Sequence, residues 1–218
     1  RVYGKRLGWT GGVNKRSVSE LVISFAIAML RHVPMAQREV LSGTWRQHIG
    51  RTLSEKTVGI VGCGQVGKDL VKLLQVFNCT VLVHDIRDYQ EFYAEYAVKA
   101  VSLEVLLTHA DVVTLHVPLD ASTRNLLGPE QLGLMKPSAI LINTARGGIV
   151  DDDALIDAIL RGHLSGAAID VFENEPKPLE ALLKHPKISL TPHIGAATNE
   201  AQERIGVELA EKLIAALH

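Results

Sequence analysis

The sequence predicts an α/β protein, a doubly wound parallel sheet flanked by long helices. Three observations carry that expectation. From Thr57 onward, short β-branched runs alternate with segments of 3.6-residue apolar period. The runs are apolar throughout rather than at every second residue, as strands covered on both faces require. A glycine-rich turn joins the first run directly to the first helical segment. Alternation of this kind implies right-handed βαβ units.

Taken in chain order, residues 1–16 form a short glycine-broken stretch that opens on Arg1 rather than on an initiator methionine, which points to material upstream. Ser17 to Leu30 reads as a long helix, with Ser17 as cap and Glu20 three residues on, the spacing of a capping box. A shorter helix around Met35 to Ser42 follows Pro34. The strand candidates are TVGIVG at 57–62, TVLVHD at 80–85, DVVTLHVP at 111–118, AILINT at 139–144, LSGAAIDV at 164–171 and KISLTP at 187–192. Val66 to Phe77 and Asp151 to Leu160 have the helical period between strands. Asp151, Asp152 and Asp153 invite a metal reading, but one N-cap with its neighbours on the helix dipole accounts for them, so no metal is expected. Asn199 to Leu217 closes the chain as an amphipathic helix with Ile205, Leu209, Leu213 and Leu217 on one stripe.

Composition narrows the class. The 218 residues are 47% hydrophobic and 22% charged, an ordinary globular balance. A formal net charge of −1 with scattered cations gives no field to draw in nucleic acid, so no nucleic-acid partner is expected. The longest apolar stretch, Leu21 to Leu30, falls short of the roughly 20 residues of a bilayer span, so no membrane partner is expected either. Cys63 and Cys79 are the only cysteines and lack metal-ligand spacing, which fits a reduced, cytoplasmic setting. Nothing in the chain resembles a signal peptide.

Gly62, Gly64 and Gly67 form GxGxxG after a strand and before a helix, the context in which the motif binds a dinucleotide. Gly62 permits the tight turn, Gly64 lets backbone approach a pyrophosphate, and Gly67 lets the helix pack on the strand. The helix that begins with Gln65 and Val66 then presents its N-terminus to the phosphates. Asp85 ends the next strand near the roughly 20-residue spacing of an acid that binds the adenosine ribose hydroxyls. Its charge would repel a 2′-phosphate and so favours NAD over NADP, although Arg87 two residues on is a cation that such a phosphate could use.

Three later segments each place one ionisable residue beside backbone-bending neighbours: TARGG at 144–148, IDVFENEP at 169–176 and TPHIG at 191–195. Reduction of a 2-keto acid needs one group to hold the carboxylate and another to give a proton to the carbonyl oxygen. Arg146 suits the first as a planar fork donor. His193 suits the second, because an ordinary imidazole titrates near neutrality. Glu175, on the far ring nitrogen, would fix the tautomer and raise the imidazole pKa.

GIVGCGQVG, LHVPLDASTRNLLG, MKPSAILINTARGGIVD, HLSGAAIDVFENEP and LTPHIGAAT together resemble the successive signatures of the NAD-dependent D-2-hydroxyacid dehydrogenases, and the closing stretch is most similar to the phosphoglycerate dehydrogenase branch. The resemblance runs from about Val13 to the C-terminus. It implies a Rossmann-type domain that binds NAD and a substrate that is a small 2-hydroxy or 2-keto acid, 3-phosphoglycerate in that branch. It assigns Arg146 to the substrate carboxylate and carbonyl, Glu175 to support of the histidine, and His193 to acid/base work. Asp170 becomes a nicotinamide carboxamide contact. His116, Val117 and Pro118 line the cofactor with their backbone, and Thr144, Ala145 and Gly195 complete the cofactor set.

Members of that family have two lobes. By the resemblance, residues 1–16 are the remnant of the substrate lobe, 17–196 the NAD-binding domain with its leading helices, and 197–218 a helix returning toward the missing lobe. This chain alone is therefore expected to bind NAD but to turn over poorly. The resemblance also places a two-fold contact near Ser17 to Leu30, a helix more apolar than one buried face requires, and so implies a homodimer. The competing expectation is a non-enzymatic NAD-sensing module or isolated cofactor domain, as in co-repressor-like relatives; the intact Arg146, Glu175 and His193 argue against it.

Overall fold

Runs that are apolar at every position need a helix layer on both sides, and they receive one. The computed structural model describes residues 11–217. Residues 1–10 of the expected lobe remnant, with Trp9, lie outside the described residues, as does His218. Seven strands form one sheet: β1 (Thr57–Val61), β2 (Thr80–His84), β3 (Lys99–Ala100), β4 (Val112–Leu115), β5 (Ile140–Asn143), β6 (Gly166–Ile169) and β7 (Ile188–Leu190). Their order is β3-β2-β1-β4-β5-β6-β7, and every pairing is parallel. The order reverses between β1 and β4, so a crevice opens outside their carboxyl ends, where open α/β sheets bind ligands. This is the doubly wound architecture that the sequence predicts.

The helices are α1 (Lys15–Leu30), α2 (Val33–Leu41), α3 (Gln65–Leu74, continued by a 3-10 turn over Gln75–Phe77), α4 (Gln90–Glu95), α5 (Leu103–His109), α6 (Pro129–Leu134), α7 (Asp152–Leu160), α8 (Glu180–Lys184) and α9 (Asn199–Leu217). Successive strand residues point to opposite faces. Leu141 of β5 thus joins Leu106, Leu132 and Leu155 of α5, α6 and α7 on one face. Ile140 and Ile142 join Phe25 of α1 and Leu70 and Leu74 of α3 on the other. Each such fully buried side chain contributes about 1.5–3 kcal/mol.

Several local expectations are corrected. Ser17 does not cap α1; Asn14 occupies the N-cap position without a side-chain bond, and the Ser17 hydroxyl lies 2.8 Å from Thr198 Oγ1. A partner at the start of α9 takes the hydroxyl that a capping box would use. α2 begins at Val33, before the expected Met35, because Pro34 needs no N–H partner in a first turn. β3, α4, α5, α6 and α8 are elements of two to seven residues, too short to show a period in the sequence. The excess apolar surface of α1 is largely spent internally, since Val18, Val22, Phe25, Ala26, Met29 and Leu30 are all buried. Exposed apolar side chains lie instead on α2 and the segment after it, at Val40, Leu41, Trp45 and Ile49. On α9, Ile205, Leu209 and Leu213 are exposed as well. No single helix among the described residues is long and apolar enough to cross a bilayer.

Candidate active site

The glycine turn forms one wall of the crevice. Gly62 has φ +97°, a left-handed conformation that side chains rarely adopt, and a Cβ there would lie 2.8 Å from the His116 carbonyl. A Cβ on Gly67 would sit 2.3 Å from the Gly62 carbonyl oxygen, which explains how closely α3 approaches β1. Gly64 differs, with open space in front of it. The N–H groups of Gln65, Val66 and Gly67 occupy the first turn of α3, where no intrahelical acceptor exists. The Val66 carbonyl accepts from Ser19 Oγ at 3.3 Å, which ties this turn to α1. The geometry is that of an anion cradle.

Asp85 follows β2 at the edge of the crevice. Its carboxylate accepts from Cys63 N at 2.5 Å and from Arg87 N at 2.8 Å, so the acid is fixed against the glycine turn with lone pairs left for two hydroxyls. Arg87 contributes its backbone to this contact. The opposite wall is His116, Val117 and Pro118 after β4. His116 Nε2 lies 3.0 Å from Thr114 Oγ1, and burial lowers the imidazole pKa to about 4. The ring is therefore neutral near pH 7 and belongs to the wall rather than to proton transfer.

Thr144, after β5, carries a buried hydroxyl with no hydrogen-bond partner among the described residues. Leaving such a group unpaired costs about 1–3 kcal/mol, so the site calls for a bound polar group there. Together with the open space at Gly64 and the fixed Asp85, this orphan fits a dinucleotide lying across the strand ends. Asn143, which sequence reasoning missed, shapes the next turn. Its buried amide donates to the Arg146 carbonyl at 2.9 Å and accepts from Ala145 N at 3.1 Å. The signal was available, since an Asn beside its own backbone is a turn former. Arg146 is exposed, its Nη1 donating to the Ala145 carbonyl at 2.6 Å.

Glu175 and His193 meet. His193 Nδ1 lies 2.9 Å from Glu175 Oε2, and the second oxygen, Oε1, accepts from Phe172 N at 2.9 Å. The His193 hydrogen bond is the largest influence holding the Glu175 pKa below its ordinary value; the Phe172 N–H and the charge of Arg146 add to it. An ionised carboxylate only accepts, so Nδ1 donates and Nε2 is left as the working nitrogen. His193 has φ +56°, a left-handed backbone that costs a non-glycine residue about 1–3 kcal/mol and persists where surroundings over-determine it.

Asp170 supplies much of that determination. It is 1% exposed, and its carboxylate accepts from Thr191 Oγ1 at 2.5 Å, Ile194 N at 2.8 Å and Gly195 N at 2.8 Å. The structure thus places Asp170 under the His193 turn, a role that the sequence did not reveal. Asp151 caps α7 by accepting from Ala154 N at 3.0 Å. Among the described residues no acidic, histidine or cysteine group is arranged to hold a metal.

The family model described as "D-isomer specific 2-hydroxyacid dehydrogenase, NAD binding domain" matches residues 23–195. D-3-phosphoglycerate dehydrogenase of Escherichia coli K12 is 41% identical over 208 residues, 92% of this chain and 50% of that protein. Glyoxylate reductase of Thermococcus litoralis is 39% identical over 215 residues, 94% of this chain and 65% of that protein. The chain thus spans half to about two thirds of the length of these relatives. D-lactate dehydrogenase of Aquifex aeolicus, solved with NAD and lactic acid, superposes with a TM-score of 0.85 at 29% identity, covering 95% of this chain and 68% of that one. A glyoxylate reductase from Paecilomyes thermophila gives 0.88 at 30% identity, covering 94% and 63%. The chain belongs to the family of D-isomer specific 2-hydroxyacid dehydrogenases as their NAD-binding domain.

Proposed function

We propose that the protein carrying this chain is an NAD-dependent oxidoreductase that interconverts a D-2-hydroxy acid and its 2-keto acid, with His193 as acid/base. The observation that carries the reading is the 2.9 Å contact of His193 Nδ1 with an ionised Glu175, which makes Nε2 the nitrogen for proton exchange. In the reducing direction Nε2 gives its proton to the substrate carbonyl oxygen, and in the oxidising direction it takes that proton back. Glu175 stabilises the imidazolium and holds the tautomer. Arg146 orients the substrate carboxylate and carbonyl through its guanidinium fork. Asp170 adds to the cofactor site, as do Gly195 and the 116–118 wall. Bound NAD supplies the nicotinamide carbon that exchanges hydride with the substrate. Relatives named for 3-phosphoglycerate and for glyoxylate make their 2-keto acids the first substrates to test.

The test is fluorescence titration of NADH into the chain and into His193→Ala, alongside turnover of a 2-keto acid panel by the chain and by the complete gene product. Both forms should bind NADH, and only proteins with His193 should turn over, the complete product far faster than the chain. A folded, NADH-binding complete product that reduces nothing in the panel would leave an NAD-sensing module in place of the enzyme.

The same reading includes a homodimer. Leu41 is 79%, Trp45 88% and Ile49 97% exposed, a run of apolar side chains that a second copy would cover. Light scattering after size exclusion at about 50 μM should give a dimer, and Trp45→Asp a monomer. A monomeric unmutated protein would refute it.

A further inference from the structure

The loop that carries Glu175 is tied to the rest of the molecule at few points. Its backbone hydrogen bonds from Phe172 N to Glu175 Oε1 and from Lys177 N to Asn174 O both close within the loop. Among the described residues its outside contacts are the packing of Phe172 on the core, the close approach of Gly147 to the Phe172 carbonyl, the Glu175–His193 hydrogen bond itself, and one further ion pair, Arg124 Nη1 to Glu173 Oε1 at 2.6 Å. Arg124 stands on a rigid turn. Asn125 N donates to the Gly148 carbonyl at 2.8 Å, Leu127 N to Ile149 at 3.1 Å, and Thr123 Oγ1 to Pro118 at 2.6 Å. The ion pair passes directly over Gly148, whose absent Cβ would lie 3.5 Å from Arg124 Nη1 and 3.7 Å from Glu173 Oε1. One pair therefore joins the turn of Arg124, itself bonded to Gly148 beside the Arg146 turn, to the loop that presents Glu175.

We propose that the Arg124–Glu173 ion pair is a positioning clip that holds the Glu175 loop against the Arg146 turn and so keeps Glu175 on Nδ1 of His193. An exposed pair of this kind contributes little to global stability. Its energy here acts on a loop with few other ties, two residues from the carboxylate that must stay in register with the imidazole. Gly148 has φ +79°, a backbone that favours glycine, and the pair crosses it at van der Waals distance. The consequence for turnover rests on the acid/base role proposed for His193; the consequence for geometry does not.

The experiment is 15N NMR of the His193 imidazole at one fixed pH in the unmutated chain, Arg124→Ala, Glu173→Ala, the charge-swapped pair Arg124→Glu/Glu173→Arg, and Arg161→Ala. The last breaks an exposed pair remote from the loop, Arg161–Asp157, and serves as the control. The unmutated ring should show a donor-type Nδ1 and a bare Nε2. Both single variants should shift the balance of tautomers by about threefold, the swap should restore it, and the control should change nothing. In the complete gene product, kcat should fall by a similar factor in both single variants with KM unchanged. An unaltered ring signature in either single variant overturns the clip. A complete product that reduces no 2-keto acid while its ring responds refutes the enzyme and leaves the clip standing.

Discussion

Asp170→Asn changes one atom and should dislodge the His193 turn. The native carboxylate receives three donors, Thr191 Oγ1, Ile194 N and Gly195 N, with Oδ1 serving the first two and Oδ2 the third. An asparagine keeps one oxygen. With that oxygen toward Thr191 and Ile194, its amide group faces the Gly195 N–H, donor against donor, in a site 1% exposed where water cannot intervene. One charge-assisted hydrogen bond, worth about 1.5–3 kcal/mol, is then lost outright, and the remaining two weaken toward the roughly 1 kcal/mol of neutral bonds. Summed with partial relaxation of the loop, the expected loss is about 2–4 kcal/mol.

Urea unfolding reads this directly. The midpoint should fall with an unchanged slope, because the variant exposes the same surface on unfolding. The His193 ring should also lose its fixed tautomer, since a left-handed backbone held by Asp170 is what aims the imidazole at Glu175. A loss under about 0.5 kcal/mol would refute the reasoning, for that is the range of surface substitutions without structural consequence.

Further outcomes follow from the same geometry. Gly64→Ala should leave the urea midpoint nearly unchanged yet weaken NADH binding, because its Cβ enters the open cradle; Gly67→Ala should destabilise by about 2 kcal/mol or more, because its Cβ meets the Gly62 carbonyl at 2.3 Å. Equal stability of the two variants would contradict this. Arg16→Ala should cost about 2 kcal/mol by leaving the Asp69 carboxylate, 7% exposed, without its two Arg16 bonds, and Arg16→Ala/Asp69→Ala should recover part of the loss in a double-mutant cycle. His116 has its pKa lowered to about 4, so the native state binds fewer protons than the unfolded chain between about pH 4 and 6.5. Stability should therefore decline as pH falls through that window, by up to about 3 kcal/mol, and His116→Gln should flatten the decline; parallel curves would exclude the assignment.

The fold was legible because its signal is redundant. Six strand runs, a glycine turn and two long helices each point to the same sheet, and only elements too short for a period, such as β3 at Lys99–Ala100 or α8 at Glu180–Lys184, escaped notice. The pairing of His193 with Glu175 was legible because each lies in a motif whose chemistry needs the other. What was not legible depends on contacts between distant segments. Ser17 looked like a cap, but no local pattern shows that Thr198, far along the chain, takes its hydroxyl. The resemblance assigned Asp170 to the cofactor, and its three donors lie more than twenty residues away. The apolar excess of α1 was visible, but its packing on α3, β5 and β6 is a tertiary fact.

One short segment, Asp170 to Glu175, sets most of the geometry of the chemistry. Asp170 fixes the backbone of His193, Glu175 fixes its ring, and Glu173 joins the same loop to Arg124, whose own turn is bonded to the segment after Arg146. Each carboxylate faces a different neighbour because the chain leaves β6 and turns at once, so consecutive side chains fan out instead of alternating across a strand. The cofactor cradle lies on the other side of the switch point, built from β1, β2 and β4. The two halves of the site thus stand on separate strands of one sheet.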